Sequence, residues 1–353
     1  MPLNIPTITD FTDPSTTEAI YKARLTSLLT ELQNNAAALA DVRGVKNRLI
    51  NGDFRVTQRS GAGTDGSYCI DRWYALMEST FGLGSQQTNQ EAGSPCSLRM
   101  QNNNSAMRIG VAQAIESLNC RDLRGGAAML SARIRCSAAQ AIRYAVLEHT
   151  GTADTITRDV VNNWSSGSYT AGGFFIAGVN VLAVGAVTPA AATWTSITLP
   201  VTVGASANNV IVVFWTEATI VTNGTLDLGR VQFEAGTVAT PFEIRGYANE
   251  LNACLRYNQK ASVATGRWTT TTNFVGVGGF MVPMRKAPTV TSGLGNVDEI
   301  LTAGPTNRAV SASTLTASAI DYTFILTTAA ATSGSTGVIN STSAGYLLLD
   351  AEL

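Results

Sequence analysis

Charge is what this sequence has least of. Only 14% of its 353 residues are Asp, Glu, Lys or Arg, against roughly 25% in an ordinary globular chain. The net charge is −1 and charges are sparse, which argues against a nucleic-acid binder, because phosphate contact needs a clustered positive field. There is one histidine, His149, on an alternating segment, where a strand position is the better reading than a general base. Neither G-x-S-x-G nor a phosphate-loop glycine spacing occurs. No apolar run approaches the ~20 residues of a membrane span, which argues against membrane insertion. No basic-then-apolar leader opens the chain, so export through a signal peptide is not expected. The five cysteines, Cys69, Cys96, Cys120, Cys136 and Cys254, form no C-x-x-C pair and read as free, mostly buried thiols of a protein made in a reducing cytoplasm.

What fills the gap is Gly, Ala, Ser, Thr and Asn, the composition of short strands and tight turns. A length of 353 residues suits two or three domains. Expected strands are Asn47–Arg55, Asp71–Glu78, Ser97–Met100, Ala106–Ala114, Ala127–Cys136, Ala141–His149, Gly173–Asn180, Ser196–Val203, Val210–Trp215 and Thr225–Glu234. With no helices between them, they predict a β-sandwich. Val210–Trp215 is apolar almost throughout and is expected at the centre of a sheet, covered on both faces. Gly229 interrupts the alternation of Leu226–Phe233 and marks a bulge.

Ahead of this lies a different pattern. Residues 1–13 are rich in Pro and Thr without periodicity and read as an attachment arm. Asp13-Pro14 is a helix start, with Asp13 at the N-cap. From there Tyr21, Leu25, Leu28, Leu32, Asn35, Leu39 and Val42 follow a strict heptad spacing, with Leu25, Leu32 and Leu39 at a and the others at d. Leu29 and Ala36 widen the stripe, which favours more than two strands, and a homotrimer is the expectation. The alternative is a single amphipathic helix packed on its own domain. Gly44 ends the helix.

After the sandwich, Tyr247, Leu251, Cys254 and Leu255 share one face of a short connecting helix. Residues 261–353 form a second β region, too poor in large apolar side chains to look self-sufficient unless three copies pack around an axis. The expected organisation is therefore an arm over 1–13, a coiled-coil helix over 14–43, a sandwich over 44–245, a connecting helix over 246–260 and a β tip domain over 261–353.

Three stretches carry a resemblance. Val231–Gln259 (VQFEAGTVATPFEIRGYANELNACLRYNQ) resembles the V-Q-L-E…A-T-P-F-E-x-R…E-L…C-x-R-Y-Y signature of bacteriophage and prophage tail-fibre proteins. Arg48–Ala75, with RLINGDFRVTQRSG and YCIDRWYA, is similar to the N-L-I-N-G-x-F-x-V-W-Q-R-G…D-R-W opening of the same proteins. Leu123–Ser137 (LRGGAAMLSARIRCS) resembles their L-x-G-K-x-V-T-L-S strand, and Met281–Gly293 matches more loosely. Thr57 stands where that family has Trp, and Asn258 where it has a second Tyr.

The resemblance implies a jelly roll like that of carbohydrate-binding modules. It also implies a virion protein made in the host cytoplasm: a tail or head fibre that meets other virion proteins through its arm and a host surface polysaccharide elsewhere. Asn35 resembles the Asn layers of trimeric adhesin stalks. By the same likeness Asp53, in the N-G-x-F opening, and Asp227, in the closing strand, are candidate ligands for a structural calcium, the alternative being ordinary turn residues. No other cofactor is expected. Sugar binding needs an aromatic platform with amides and carboxylates beside it. The candidates are Trp164, Tyr169 and Trp194 in the sandwich, and Trp268, Phe274 and Tyr322 beyond it. Trp268, in a Thr-rich loop, is the preferred exposed one. Taken singly, each of these aromatics is more often packing than ligand. A second class, a glycan depolymerase or esterase, would need acidic side chains gathered in a groove, and a third is an architectural connector without glycan affinity. Binding rather than catalysis is the expectation.

Overall fold

The computed structural model describes residues 25–30, 45–59, 61, 64–79, 82–261, 265–292, 296–301, 304–317, 321–328, 331–339 and 347–353. The chain divides into two units, Met1–Lys46 and Asn47–Leu353. In the first, residues 25–30 are helical (α1), with Leu25 and Leu29 exposed and Leu28 half-buried. The remaining heptad positions, Tyr21, Leu32, Asn35, Leu39 and Val42, lie outside the described residues, as do 1–13.

The second unit is built on two antiparallel sheets. One has the order β1 (Tyr68–Ile70), β2 (Trp73–Met77), β5 (Ile109–Ile115), β10 (Asn209–Thr216), β7 (Ile142–His149), β8 (Asn180–Val187). The other has the order β3 (Gly82–Glu91), β4 (Ser94–Asn102), β11 (Thr225–Ala235), β6 (Ala127–Cys136), β9 (Thr195–Thr202). Alternate residues of each face one shared core: Ile109, Val111, Val146, Val212 and Phe214 from the first sheet, and Leu98, Met100, Leu130, Ile134, Leu228 and Phe233 from the second. Each such side chain contributes roughly 1.5–3 kcal/mol over exposure. The fold is thus mainly β and sandwich-like.

The back of the six-stranded sheet carries a second core. There Leu147, Ile211, Val213 and Trp215 pack under Val160, Val161, Phe174 and Phe175 from the chain between β7 and β8. With both faces covered, every residue of β10 is buried, which is why that strand is apolar throughout. The same excursion corrects the expected strand Gly173–Asn180, of which only isolated bridges at Phe175 and the first residue of β8, Asn180, form.

Asn47–Arg55 is likewise not a strand but an irregular segment clasped by side chains. Asn47 is 3% exposed and its side chain makes three hydrogen bonds. Its Nδ2 donates to the Val231 carbonyl (2.9 Å), and its Oδ1 accepts from the Leu49 and Phe233 amides (3.0 Å each). The bulge expected at Gly229 is present, since the β11–β6 register shifts between Gly229 and Gln232. It frees Val231 to meet Asn47 and the Gly52 carbonyl. A side chain at Gly52 would sit 2.2 Å from that Val231 carbonyl, so only glycine fits. Gln232 and Glu234 hold the Thr240–Glu243 return, and Arg245 reaches back to the Leu49 carbonyl (3.1 Å). The longest family-like stretch is therefore, for much of its length, a clasp closing the sandwich.

Beyond it, α2 is the short helix Ser117–Cys120 and α3 is Tyr247–Leu255. The inner face of α3 differs from expectation: Tyr247 is 55% exposed, whereas Glu250 is buried beside Cys254 and Leu255. Glu250 accepts from the Asn51 amide and Arg245. Burial raises its pKa, with Arg245 opposing.

Strand β12 (Asn258–Ala261) pairs with β20 (Leu347–Asp350), which pairs in turn with β15 (Thr289–Ser292). The other strands of this region are β13 (Thr265–Trp268), β14 (Asn273–Gly279), β16 (Asn296–Leu301), β17 (Gly304–Ala317), β18 (Asp321–Thr328) and β19 (Thr336–Ile339). They close into a barrel of order β13-β14-β18-β17-β16-β19. Its hydrogen-bonded ring is completed within a single chain.

The β20 end returns to the sandwich through buried charge. Arg72, 1% exposed, pairs with Glu352, donates to the Ala114 carbonyl (2.8 Å) and lies 3.7 Å above the Tyr257 ring. Arg59 holds Asp350 and Glu352 at 3.2 Å each.

Candidate functional site

The expected aromatics fall into three environments. Trp268 is fully buried, its indole donating to the Thr328 hydroxyl (2.8 Å) and packed 4.6 Å from Phe274, which is buried as well. The preferred exposed platform is therefore a core residue of the barrel. Tyr322 lies on β18 opposite Gly278 and Ala317, its side chain outside the described residues.

Trp164 and Tyr169 belong to the excursion over the six-stranded sheet. Trp164 stands edge-on to Phe174 at 5.7 Å. Tyr169 packs on Phe174 (5.4 Å) and Trp215 (5.6 Å), lies under the Arg143 guanidinium (4.5 Å) and donates to Glu217 (3.0 Å). Both serve the lid over that sheet.

Among the candidates whose side chains are described, Trp194 alone borders an uncovered surface, the outer face of the five-stranded sheet. There Ser196, Thr198, Pro200 and Thr202 of β9 are exposed, and Ser131, Arg133 and Arg135 of β6 are half-buried. The Trp194 indole donates to the Gln90 carbonyl (2.8 Å), and the Arg135 guanidinium lies 5.0 Å from its ring centroid. Beside it Glu91, 5% exposed, accepts from Arg133 Nε at 3.0 Å, with Arg230 Nε at 3.7 Å. Glu91 Oε2 has no hydrogen-bond partner among the described residues. Gly229 makes this arrangement possible. A Cβ there would fall 2.3 Å from Glu91 Oε2 and 3.5 Å from the indole. The bulge also turns Arg230 to a positive φ of 48°, a sparsely populated conformation for a side-chain-bearing residue.

Along the same face Asp227, 1% exposed, accepts from Arg99 Nε and Nη2 (2.7 and 3.0 Å) and from Arg135 Nε (2.8 Å). That hydrogen bond, before any other cause, raises the Arg99 pKa. The pairing corrects the calcium expectation, because a carboxylate between two guanidiniums has its charge already neutralised. Asp53 has one guanidinium beside it, its Oδ2 2.5 Å from Arg55 Nε, while its buried Oδ1 has no hydrogen-bond partner among the described residues. No three His, Cys, Asp or Glu gather to hold a metal among the described residues. His149 is a strand-end residue whose ring nitrogens face the Gly178 and Thr152 carbonyls (3.1 and 3.2 Å). All five cysteines are free, and burial pushes the Cys69 and Cys120 thiols up to about 12.

One carboxyl stands out elsewhere. Asp65 accepts from the Met77 amide (2.8 Å), and partial burial, assisted by neighbouring Asp159, raises its pKa to about 6.

An indole beside amide, hydroxyl and charged groups can take the apolar face of a sugar ring and its hydroxyls together. The sequence pointed to Trp194 but not to Gln90, Glu91, Arg133, Arg135 or Arg230. The R-I-R alternation of β6, placing two arginines on its outer face, was the available signal.

No family model and no curated protein matches the chain. Among solved structures, it is similar to a xylan-binding domain from Paenibacillus barcinonensis (10% identity, 56% of this chain and 100% of that one, TM-score 0.33). It is also similar to a family 22 carbohydrate-binding module of Clostridium thermocellum (12% identity, 53% and 98%, TM-score 0.30). A third similarity is to the enzymatically active domain of a tailspike protein of bacteriophage CBA120 (13% identity, 54% and 21%, TM-score 0.32). At these scores none fixes a relationship.

Proposed function

We propose that the chain is a non-catalytic structural protein of a phage virion. In this reading it is a homotrimeric tail or head fibre, joined to the particle through residues 1–13, with a jelly-roll sandwich that binds host surface glycan. The observation that carries the binding reading is the uncovered outer face of the five-stranded sheet, where Trp194 stands beside the buried, half-satisfied carboxylate of Glu91. The opposite sheet has its outer face closed by its own aromatic lid. The fibre reading is supported by the three family-like stretches and by Leu25 and Leu29, apolar side chains exposed on α1 at heptad positions. Three tethered sites would offset weak single-site affinity.

Two measurements test this reading. Light scattering on the full chain and on a chain lacking residues 1–43 should give three-chain and one-chain masses; a monomer in both cases refutes the stalk. Affinity electrophoresis in the purified host polysaccharide should retard the full chain, with Trp194→Ala weakening retention at least about tenfold. Equal retardation of the variant moves binding off this face. The depolymerase reading has one observation in its favour, the Asp65–Asp159 carboxyl pair. Release of reducing ends by the wild type, abolished in Asp65→Asn, would establish it.

A further inference from the structure

This inference rests on the glycan-binding reading and names the class of sugar. In a chain with so few charges, four arginines (Arg99, Arg133, Arg135 and Arg230) converge on the face that carries Trp194. Only Asp227 and Glu91 are paired with them, leaving an excess of two positive charges. None of the four guanidiniums is fully enclosed: their side chains are 25%, 33%, 15% and 31% exposed.

Their donors are incompletely used. Arg99 and Arg135 engage Asp227 and Gln90 through Nε and Nη2, and Arg230 reaches the Ala92 carbonyl through Nη2. The Nη1 group of each of these three takes no partner among the described residues. The strained bulge fixes Arg230 at the rim beside Glu91.

The indole is not a bare platform either. Arg135 lies over it, so a sugar ring meeting Trp194 also meets a guanidinium. Neutral sugars gain little from such an edge. A carboxylate is matched by it, because a hydrogen bond from a free guanidinium Nη1 to a carboxylate oxygen is charge-assisted and about twice as strong as one to a neutral hydroxyl. We infer that this face recognises an acidic glycan, one whose ring stacks at Trp194 while its carboxylate takes the free edges of Arg135 and Arg230.

The test uses the full chain and paired probes: polygalacturonate, alginate and hyaluronate, each beside its carboxyl-reduced neutral form. Poly-glutamate serves as a non-sugar polyanion. Affinity is measured by calorimetry for the wild type, Arg230→Gln, Arg135→Gln and Trp194→Ala, with melting temperatures confirming that each variant folds. The expected result is binding to at least one acidic member at least about tenfold tighter than to its reduced partner. Each arginine variant should lose about tenfold on the acidic form and nothing on the neutral one, and poly-glutamate should not bind.

Equal affinity for acidic and reduced forms, lost in Trp194→Ala, overturns the acidic assignment and leaves glycan binding standing. Binding to poly-glutamate as tight as to the acidic glycan, or acidic binding insensitive to all three substitutions, overturns it as non-specific attraction. Binding to no probe of either kind overturns the acidic assignment, and the glycan reading itself falls only if the host polysaccharide also fails to retard the full chain.

Discussion

Replacing Asn47 by Ala tests whether the family-like stretches are a clasp. The substitution removes three hydrogen bonds, leaving the Val231 carbonyl and the Leu49 and Phe233 amides to find other partners. Asn47 is 3% exposed, so water reaches these groups only if the segment opens. A buried polar group left unpaired costs about 1–3 kcal/mol, and partial hydration of the small cavity places the sum near the lower end, about 3–5 kcal/mol. That is a large share of the ~5–15 kcal/mol a domain commonly has. Calorimetry should show the melting temperature falling by ~5–15 °C. Asn47→Asp should be no better, because it presents an acceptor to the Val231 carbonyl that Nδ2 now serves. Thr57→Ala, at an exposed position of the same segment, should change stability by less than ~0.5 kcal/mol. A loss below about 1 kcal/mol for Asn47→Ala would refute the clasp.

Three further outcomes are expected. Glu352→Ala should cost about 3–5 kcal/mol in denaturant unfolding, since it strands the buried Arg72, and Glu352→Gln less; equal small effects would mean the pair is dispensable. Asp65→Asn should raise the melting temperature near pH 7. The native carboxyl titrates near 6, above its ordinary value of 3.8, so it lends stability only when protonated and loses it as pH rises between those values. After screening at this partly open site the gain should stay below about 1 kcal/mol and vanish below pH 4; a gain independent of pH would refute the titration argument. Trp268→Ala should destabilise by about 3–5 kcal/mol without altering retention in polysaccharide, and a binding loss at unchanged stability would return the barrel to candidacy.

The strands legible in the sequence were those whose own residues decide them. Ala127–Cys136 matches β6 residue for residue, and the apolar run Val210–Trp215 lies within β10. β3 and β8 passed unseen as edge strands, β3 because it is rich in Gly and Gln and β8 because its small apolar residues run on without alternation and stay only partly buried. Leu49, Ile50 and Phe54 make Asn47–Arg55 look like a short strand, yet asparagine side chains there satisfy backbone groups that a ladder would otherwise hold. At the site, Trp194 was visible as an aromatic near a turn. Its arginine neighbours come from β4, β6 and β11, and only the sheet order brings them together. Trp268 misled because Thr-rich surroundings resemble a loop, whereas Thr328 is there to bond the buried indole.

The Arg72–Glu352 pair spans 280 residues of chain, which makes it a matter of timing as well as of energy. A ribosome adding ~5–20 residues per second needs on the order of 15–60 s to travel from one partner to the other. Throughout that interval the sandwich strands are available to pair, but Arg72 has no carboxylate to neutralise it, and the site it will occupy cannot close dry. β20 is therefore the strand whose arrival seals the first sheet, and a nascent chain stalled before it should present that unsealed edge to whatever chaperone is near.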